Sequence, residues 1–378
     1  MARTAVVFLA MFILWAGNVS ADTPSWNSPE GKKLIQYGWD VPNTAYVRRH
    51  IQEMERRPTF VQPHGKLHHF NGLVLQVTNS REPCLGGTRD ALGWKTFSRE
   101  RFQAKDYAHA IEDLKAAQFE QFSDNFIQMV SMPGVDLFDP QWDTVAHNAS
   151  VLAKIAKEGG CVGLVFDPVQ YGYQRIWTYQ WRHKMAVEQP KEQSQQEYVA
   201  KATERGQQFM KAINAEFPDV KILCLYGPTR TGFAPAWQYD LLKPFIEGMC
   251  DTAASGTEII DGYKQYPNYR DESSFIKARR DTIKGSARDQ FADKGAFDRV
   301  MRAGFCLQLD EPVFWRRKAF QTALHHALSH SDEYVWVFSE RVNWWASPEH
   351  NRAAYEKWLA TYGERPNWQG QPIGKAAL

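Results

Sequence analysis

The chain has 378 residues, with 45 Lys and Arg against 43 Asp and Glu, a formal net charge of +2. That near-balance excludes a dedicated nucleic-acid binder, which carries a concentrated basic excess. With 43% hydrophobic and 23% charged residues, wholesale disorder and a multi-span membrane protein are excluded too. The unusual figure is the aromatic content: 14 Trp, 15 Tyr and 22 Phe, 13% of the chain, more than packing alone calls for.

The first residues read as a targeting signal. Arg3 is followed by an apolar run from Ala5 to Ala16, and Val19-Ser20-Ala21 has the small-residue pattern of a cleavage site. The run is shorter than the roughly 20 residues a spanning helix needs. The expectation is a secreted or periplasmic protein cut after Ala21, with no membrane span in the mature chain. The 5 cysteines, Cys84, Cys161, Cys224, Cys250 and Cys306, are odd in number and include no C-x-x-C pair. Neither a disulfide framework nor a zinc knuckle is indicated.

Beyond the signal, short apolar or β-branched runs alternate with longer stretches of helical period. The first run is 34–40, followed by a helix that Asn43 can cap and that ends near Pro58. The second, 71–78, comes after a His- and Pro-containing detour, and a Cys- and Gly-containing loop then leads to a helix near 104–118. The third is 122–130, with a helix over 141–158. The fourth, 161–167, is an apolar strand that stops at Asp167-Pro168; an aromatic, basic insertion at 171–191 and a long helix follow. The fifth is 220–226 with a helix at 237–254, and the sixth is 257–261 with an interrupted helical region at 271–302. The seventh is 304–310 with a helix at 313–330, and the eighth is 333–340 with a last helix near 348–361. Strand-then-helix units repeated in this way predict an α/β chain folded as a (β/α)8 TIM barrel with extended βα loops, the alternative being an open doubly wound sheet. Residues 22–365 form the barrel, and 366–378 an irregular tail.

In such barrels the active site gathers at the C-terminal ends of the strands, and here those ends are acidic and aromatic. The first ends in Tyr37-Gly38-Trp39-Asp40, the third holds Asp124-Asn125, and the fourth ends in Asp167-Pro168-Val169-Gln170-Tyr171. The sixth ends in Asp261-Gly262-Tyr263, the seventh in Asp310-Glu311, and the eighth in Glu340-Arg341-Val342-Asn343-Trp344-Trp345. Carboxylate pairs among aromatic rings suit glycosidic bond cleavage, in which one carboxyl protonates the leaving oxygen and the other attacks or activates water. Asp167 is the first candidate, with Asp261, Glu340 and Asp310 beside it. Only one of Asp310 and Glu311 can face inward, since adjacent strand residues point opposite ways. Trp39, Asp40, Asp124, Asn125, Gln170, Tyr171, Tyr226, Tyr263, Arg341, Asn343, Trp344 and Trp345 are candidates for holding a sugar or orienting the acids. The rings at 171–181 and 344–345 are the favoured sugar contacts. Strand order gives no carboxylate separation, so retention and inversion stay open.

These phrases, with Phe122-Ser123-Asp124-Asn125-Phe126, resemble those of secreted bacterial barrel proteins regarded as glycoside-hydrolase-like. Asp at the ends of the fourth and sixth strands is similar to the placement in α-galactosidase and α-glucosidase type barrels. The resemblance implies Asp167 as nucleophile and Asp261 as acid/base, acting on a poly- or oligosaccharide without a cofactor. Gln170 departs from it, because such barrels often carry Glu a few residues past the fourth-strand Asp. A carbohydrate-binding barrel without turnover is therefore the alternative, and a metal-assisted hydrolase a third.

Other chemistries lack their signatures. There is no G-x-S-x-G elbow, P-loop or G-x-G-x-x-G. His326 and His330 share a helical face, but no third ligand is near them in the sequence, and with His325 they read as helix-face residues. No metal site is expected.

Overall fold

The computed structural model describes residues 29–56, 60–61, 67–170, 175–179, 193–229, 239–263, 271–310, 317–340 and 343–346. The expected signal, the last helix and the tail all lie outside them. The sheet strands are β1 (Lys33–Gly38), β2 (Gly72–Leu75), β3 (Phe126–Val130), β4 (Gly163–Asp167), β5 (Lys221–Cys224), β6 (Glu258–Asp261), β7 (Met301–Ala303), β8 (Phe305–Gln308) and β9 (Tyr334–Ser339). They pair in parallel from β1 round to β7, while β9 lies between β8 and β1.

Only Gly304 separates β7 from β8, so the two free edges of the sheet are one run of chain and the nine parallel strands form a nearly closed barrel. The seventh strand expected at 304–310 is β8, while β7 is an additional short strand at the end of the stretch expected to be helical. At Gly304 the chain leaves β6 for β9; its N–H still meets Asp261 O at 2.9 Å. A Cβ there would lie 2.7 Å from Ile260 Cγ2 and 3.1 Å from Tyr334 O, which explains a glycine at the crossing.

The helices alternate with the strands, as the sequence pattern predicts. They are α1 (Thr44–Glu55), α2 (Leu92–Lys95), α3 (Ala108–Ala116), α4 (Trp142–Glu158), α5 (Gln195–Glu216), α6 (Leu242–Thr252), α7 (Glu272–Lys277), α8 (Lys294–Val300) and α9 (Arg317–His330). Asn43 caps α1 by accepting the Tyr46 N–H at 2.9 Å, and Ser194 and Glu197 form a reciprocal capping box on α5. The interruption expected in 271–302 is a π-helical stretch, Ala278–Ala287, continuing α7. Among the described residues no helix is long and apolar enough to cross a membrane.

Strand alternation sorts the core in two. Ile35, Tyr37, Val74, Phe126, Val165, Leu223, Ile260, Trp336 and Phe338 fill the barrel interior, and their neighbours in sequence pack outward against the helices. Much of the aromatic surplus sits in that outer layer. Phe97, Phe166, Trp177, Phe209 and Phe245 form one contiguous group between β4 and its helices, with centroid separations from 4.8 to 6.2 Å. Burying each such ring is worth about 2–3 kcal/mol, and edge or offset contact adds up to about 1 kcal/mol per pair.

Candidate functional site

A cavity of ≈ 340 Å³ opens at the C-terminal end of the barrel, at the small end of the roughly 300–1,000 Å³ of small-molecule sites. Its inner wall is made by Tyr37, Gln128, Asp167 and Phe338, from four different strands. Asp167 closes β4 two residues after the inward Val165, so alternation turns its carboxylate into the mouth. It is 1% exposed, and Oδ1 accepts the Val169 N–H at 2.9 Å, which fixes its direction.

Tyr37 and Gln128 form the polar floor. Gln128 Nε2 donates to Tyr37 Oη at 2.8 Å. Burial pushes the Tyr37 phenol well above its ordinary pKa; the charge of Asp167 adds to the rise, and the Gln128 hydrogen bond opposes it. Tyr37 is therefore a neutral phenol that can donate a hydrogen bond. Gln128 Oε1 is buried and has no partner among the described residues, so an acceptor on the cavity wall is left unsatisfied. A ligand hydroxyl would meet it.

The lip comes from two loops tied together. Gly86 N–H donates to Val41 O at 3.1 Å and Gly87 N–H to Trp39 O at 3.0 Å. Gln76, just past β2, locks both loops. Its Nε2 donates to Val41 O at 3.0 Å and Gly86 O at 2.7 Å, while Oε1 accepts the Thr88 N–H at 3.1 Å. Gly86 has φ +103, a conformation glycine adopts without strain. On this frame sit Trp39, Arg89 and Trp94. Trp39 is 62% exposed, the one exposed large aromatic side chain among the described residues, and it stands at the cavity edge as a ready stacking face.

Two further carboxylates stand near the mouth. Asp310 lies in the turn just past the end of β8. Its Oδ1 accepts from Ser339 Oγ at 3.0 Å and its Oδ2 from the Glu340 N–H at 2.6 Å. Glu340 itself is exposed. Asp40 is buried beneath them and takes the Gln36 amide at 2.9 Å and the Trp344 N–H at 2.6 Å. Burial raises the Asp40 pKa from 3.8 to about 7; its hydrogen bonds to Trp344 and Gln36 oppose that rise, and Asp310 adds to it.

Asp40 therefore links the stability of the fold to pH. A carboxyl whose pKa is higher folded than unfolded favours the fold below the unfolded value, and that contribution is lost as pH rises through the folded one. Compared with Asp40→Asn, the wild type is expected to lose stability between about pH 4 and pH 7. The loss accrues at up to about 1.4 kcal/mol for each pH unit crossed, read by urea unfolding of both proteins across that range. A pH-independent difference contradicts this.

Several candidates lie elsewhere. Asp261 ends β6 on the outward face, opposite Cys224, and is 0% exposed. It accepts from Gly227 N–H (3.2 Å), Tyr263 N–H (3.0 Å), Thr229 N–H (3.4 Å) and Thr229 Oγ1 (2.6 Å). Gly227 approaches so closely that a Cβ would fall 2.2 Å from the Asp261 Cγ. The Asp261 carboxylate anchors loops behind the barrel wall and does not reach the cavity. Asp124 and Asn125 precede β3 and so lie at the opposite end of the barrel. Asp124 meets Tyr334 Oη at 2.6 Å and Lys33 Nζ at 3.2 Å, while Asn125 bridges Leu73 N and Phe122 O.

Gln170 ties its own loop, accepting the Trp177 N–H at 3.0 Å and donating to Thr178 Oγ1 at 3.0 Å. Tyr226 packs beside Tyr239. Tyr263, with φ 42, turns its ring outward onto Phe305. Asn343 accepts the N–H groups of Trp345 and Ala346. Trp344 and Trp345, favoured for sugar contact, are 3% and 5% exposed and pack on Phe70 and Phe122. Trp177 is fully buried, with its Nε1 on Ser131 Oγ. Tyr171 and Arg341 lie outside the described residues. Sequence reasoning missed Gln128, Gln76, Arg89 and Trp94; a polar residue interrupting the apolar run Phe126-Ile127-Gln128-Met129-Val130 was the only local signal for the first.

No protein-family model matches the chain, and no curated protein matches it either.

Proposed function

We propose that the protein is a glycoside hydrolase that takes a carbohydrate into the cavity at the barrel mouth. The observation that carries this reading is Asp167, an inward carboxylate beside a neutral phenol and an unsatisfied amide oxygen, below the exposed ring of Trp39. Trp39 stacks on the apolar face of a sugar ring, and Gln128 Oε1 accepts from a hydroxyl. Asp167 attacks the anomeric carbon or draws the proton from an attacking water. Asp261 is closed off from the cavity, so the proton donor is Glu340. Asp310 holds that residue by its backbone, and its exposure lets it recover a proton from solvent.

The second reading is a carbohydrate-binding barrel without turnover. It is favoured by Asp167 being the one carboxylate that lines the cavity among the described residues. Both readings need Trp39. Trp39→Ala is expected to weaken binding to a polysaccharide by about tenfold, with an unchanged melting midpoint, since so exposed a ring contributes little to the core. Affinity electrophoresis in gels containing different polysaccharides reads this directly. Unaltered retardation on every polysaccharide that slows the wild type removes the cavity from sugar recognition. Release of reducing ends separates the hydrolase from the binder.

A further inference from the structure

Away from the cavity, the fold brings together three side chains that the sequence keeps apart. Glu272 opens α7, and His326 and His330 lie one turn apart at the end of α9. One potential ligand atom from each lies within 4.8 Å of the other two, and His330 Nε2 is already 3.1 Å from Glu272 Oε1. A tetrahedral zinc ion with bonds of about 2.0–2.1 Å sets its ligand atoms about 3.3 Å apart. One pair is therefore at the required spacing, and a small side-chain adjustment of His326 completes the set.

We propose that Glu272, His326 and His330 form a zinc site that clamps α7 to α9. Two imidazoles and one carboxylate are the borderline donor set that zinc prefers, whereas calcium or magnesium would want oxygen ligands throughout. The surroundings hold the ligands in place. The His326 ring packs against Phe275, which is buried on Phe305, and Arg279 donates to His330 O at 3.2 Å, pinning the end of the helix. His326 Nδ1 is buried with no partner among the described residues. Asp271 adds negative charge nearby, and its Oδ1 accepts from both Ser273 Oγ and the Ser274 N–H.

His330 ends α9 just before β9 begins at Tyr334, so the site lies toward the N-terminal end of the strands, away from the mouth. Residues at that end of a barrel serve stability rather than chemistry, and the fourth zinc position is left to water. The site would hold the start of α7 against the end of α9.

The test uses the untagged full chain, stripped with EDTA and titrated with zinc chloride by calorimetry, with the melting midpoint followed in parallel. One zinc per chain and a raised midpoint are expected. Glu272→Gln, an exposed change that keeps the shape of the side chain, and His326→Ala are each expected to weaken zinc binding by about tenfold or more. His325→Ala, on the neighbouring face, leaves it unchanged. Absence of saturable binding overturns the site, as does binding that survives Glu272→Gln and His326→Ala. Equal loss in His325→Ala also overturns it, because it would indicate nonspecific histidine binding.

Discussion

Asp167→Asn is expected to reduce turnover by about 10³-fold or more while leaving the melting midpoint within a few degrees of the wild type. The size follows from removing the only carboxylate on the cavity wall among the described residues; a positioned acid or base alone contributes about 10²–10⁴-fold. The mildness toward the fold follows from local geometry. The amide oxygen of the variant still accepts the Val169 N–H, and a buried charge is replaced by a neutral group of the same shape. Polysaccharide binding is retained, because Trp39 and Gln128 are untouched. Steady-state kinetics and a thermal melt of the same preparation check both halves. Turnover equal to wild type removes Asp167 from the mechanism.

The second large effect is opposite in kind. Asp261→Ala is expected to cost about 3–5 kcal/mol of stability, because four buried donors on Gly227, Thr229 and Tyr263 lose their common acceptor. In a chain of this size that is a drop of roughly 4–7 °C in melting midpoint. Asp261→Asn keeps an oxygen toward the loop, folds more readily, and is expected to retain turnover per folded molecule. The same chemical change, Asp to Asn at the end of a strand, therefore separates the two residues: activity falls at Asp167 and stability suffers at Asp261. An Asp261→Asn protein that melts as the wild type does but no longer turns over would place Asp261 in the reaction after all.

The contrast between these two residues shows what the sequence could and could not convey. Parallel strands buried on both faces read as short apolar runs, so the alternation and the barrel were legible, down to strand ends within a few residues. Which side of the wall an end residue faces depends on register, and a slip of one position reverses it. Asp167 and Asp261 both end an apolar run, yet Val165 places the first inward and Ile259 places the second outward. Asp124 misled for a related reason. The apolar run containing it begins at Phe122, but the strand begins at Phe126, which moves Asp124 from the mouth to the opposite end.

Aromatic residues were the weakest guide, because a Trp in a loop looks the same whether it lines a cleft or plugs the core. Trp344 and Trp345 fold back onto Phe70 and Phe122, while Trp39 stands out in solvent. The lip of the cavity was illegible for another reason. It is built by Gln76 bridging two loops, a contact that no local pattern encodes. Glu272 is a similar case, becoming the third neighbour of a histidine pair only when α7 meets α9.

Whether Asp167 cleaves a sugar linkage is decided by release of reducing ends from a broad panel of poly- and oligosaccharides, with wild type and Asp167→Asn assayed side by side. The wild type is expected to release reducing ends from at least one substrate and the variant from none, with both proteins still binding that substrate. Release undiminished in Asp167→Asn would contradict the assignment, and so would a wild type that binds a polysaccharide and cleaves nothing.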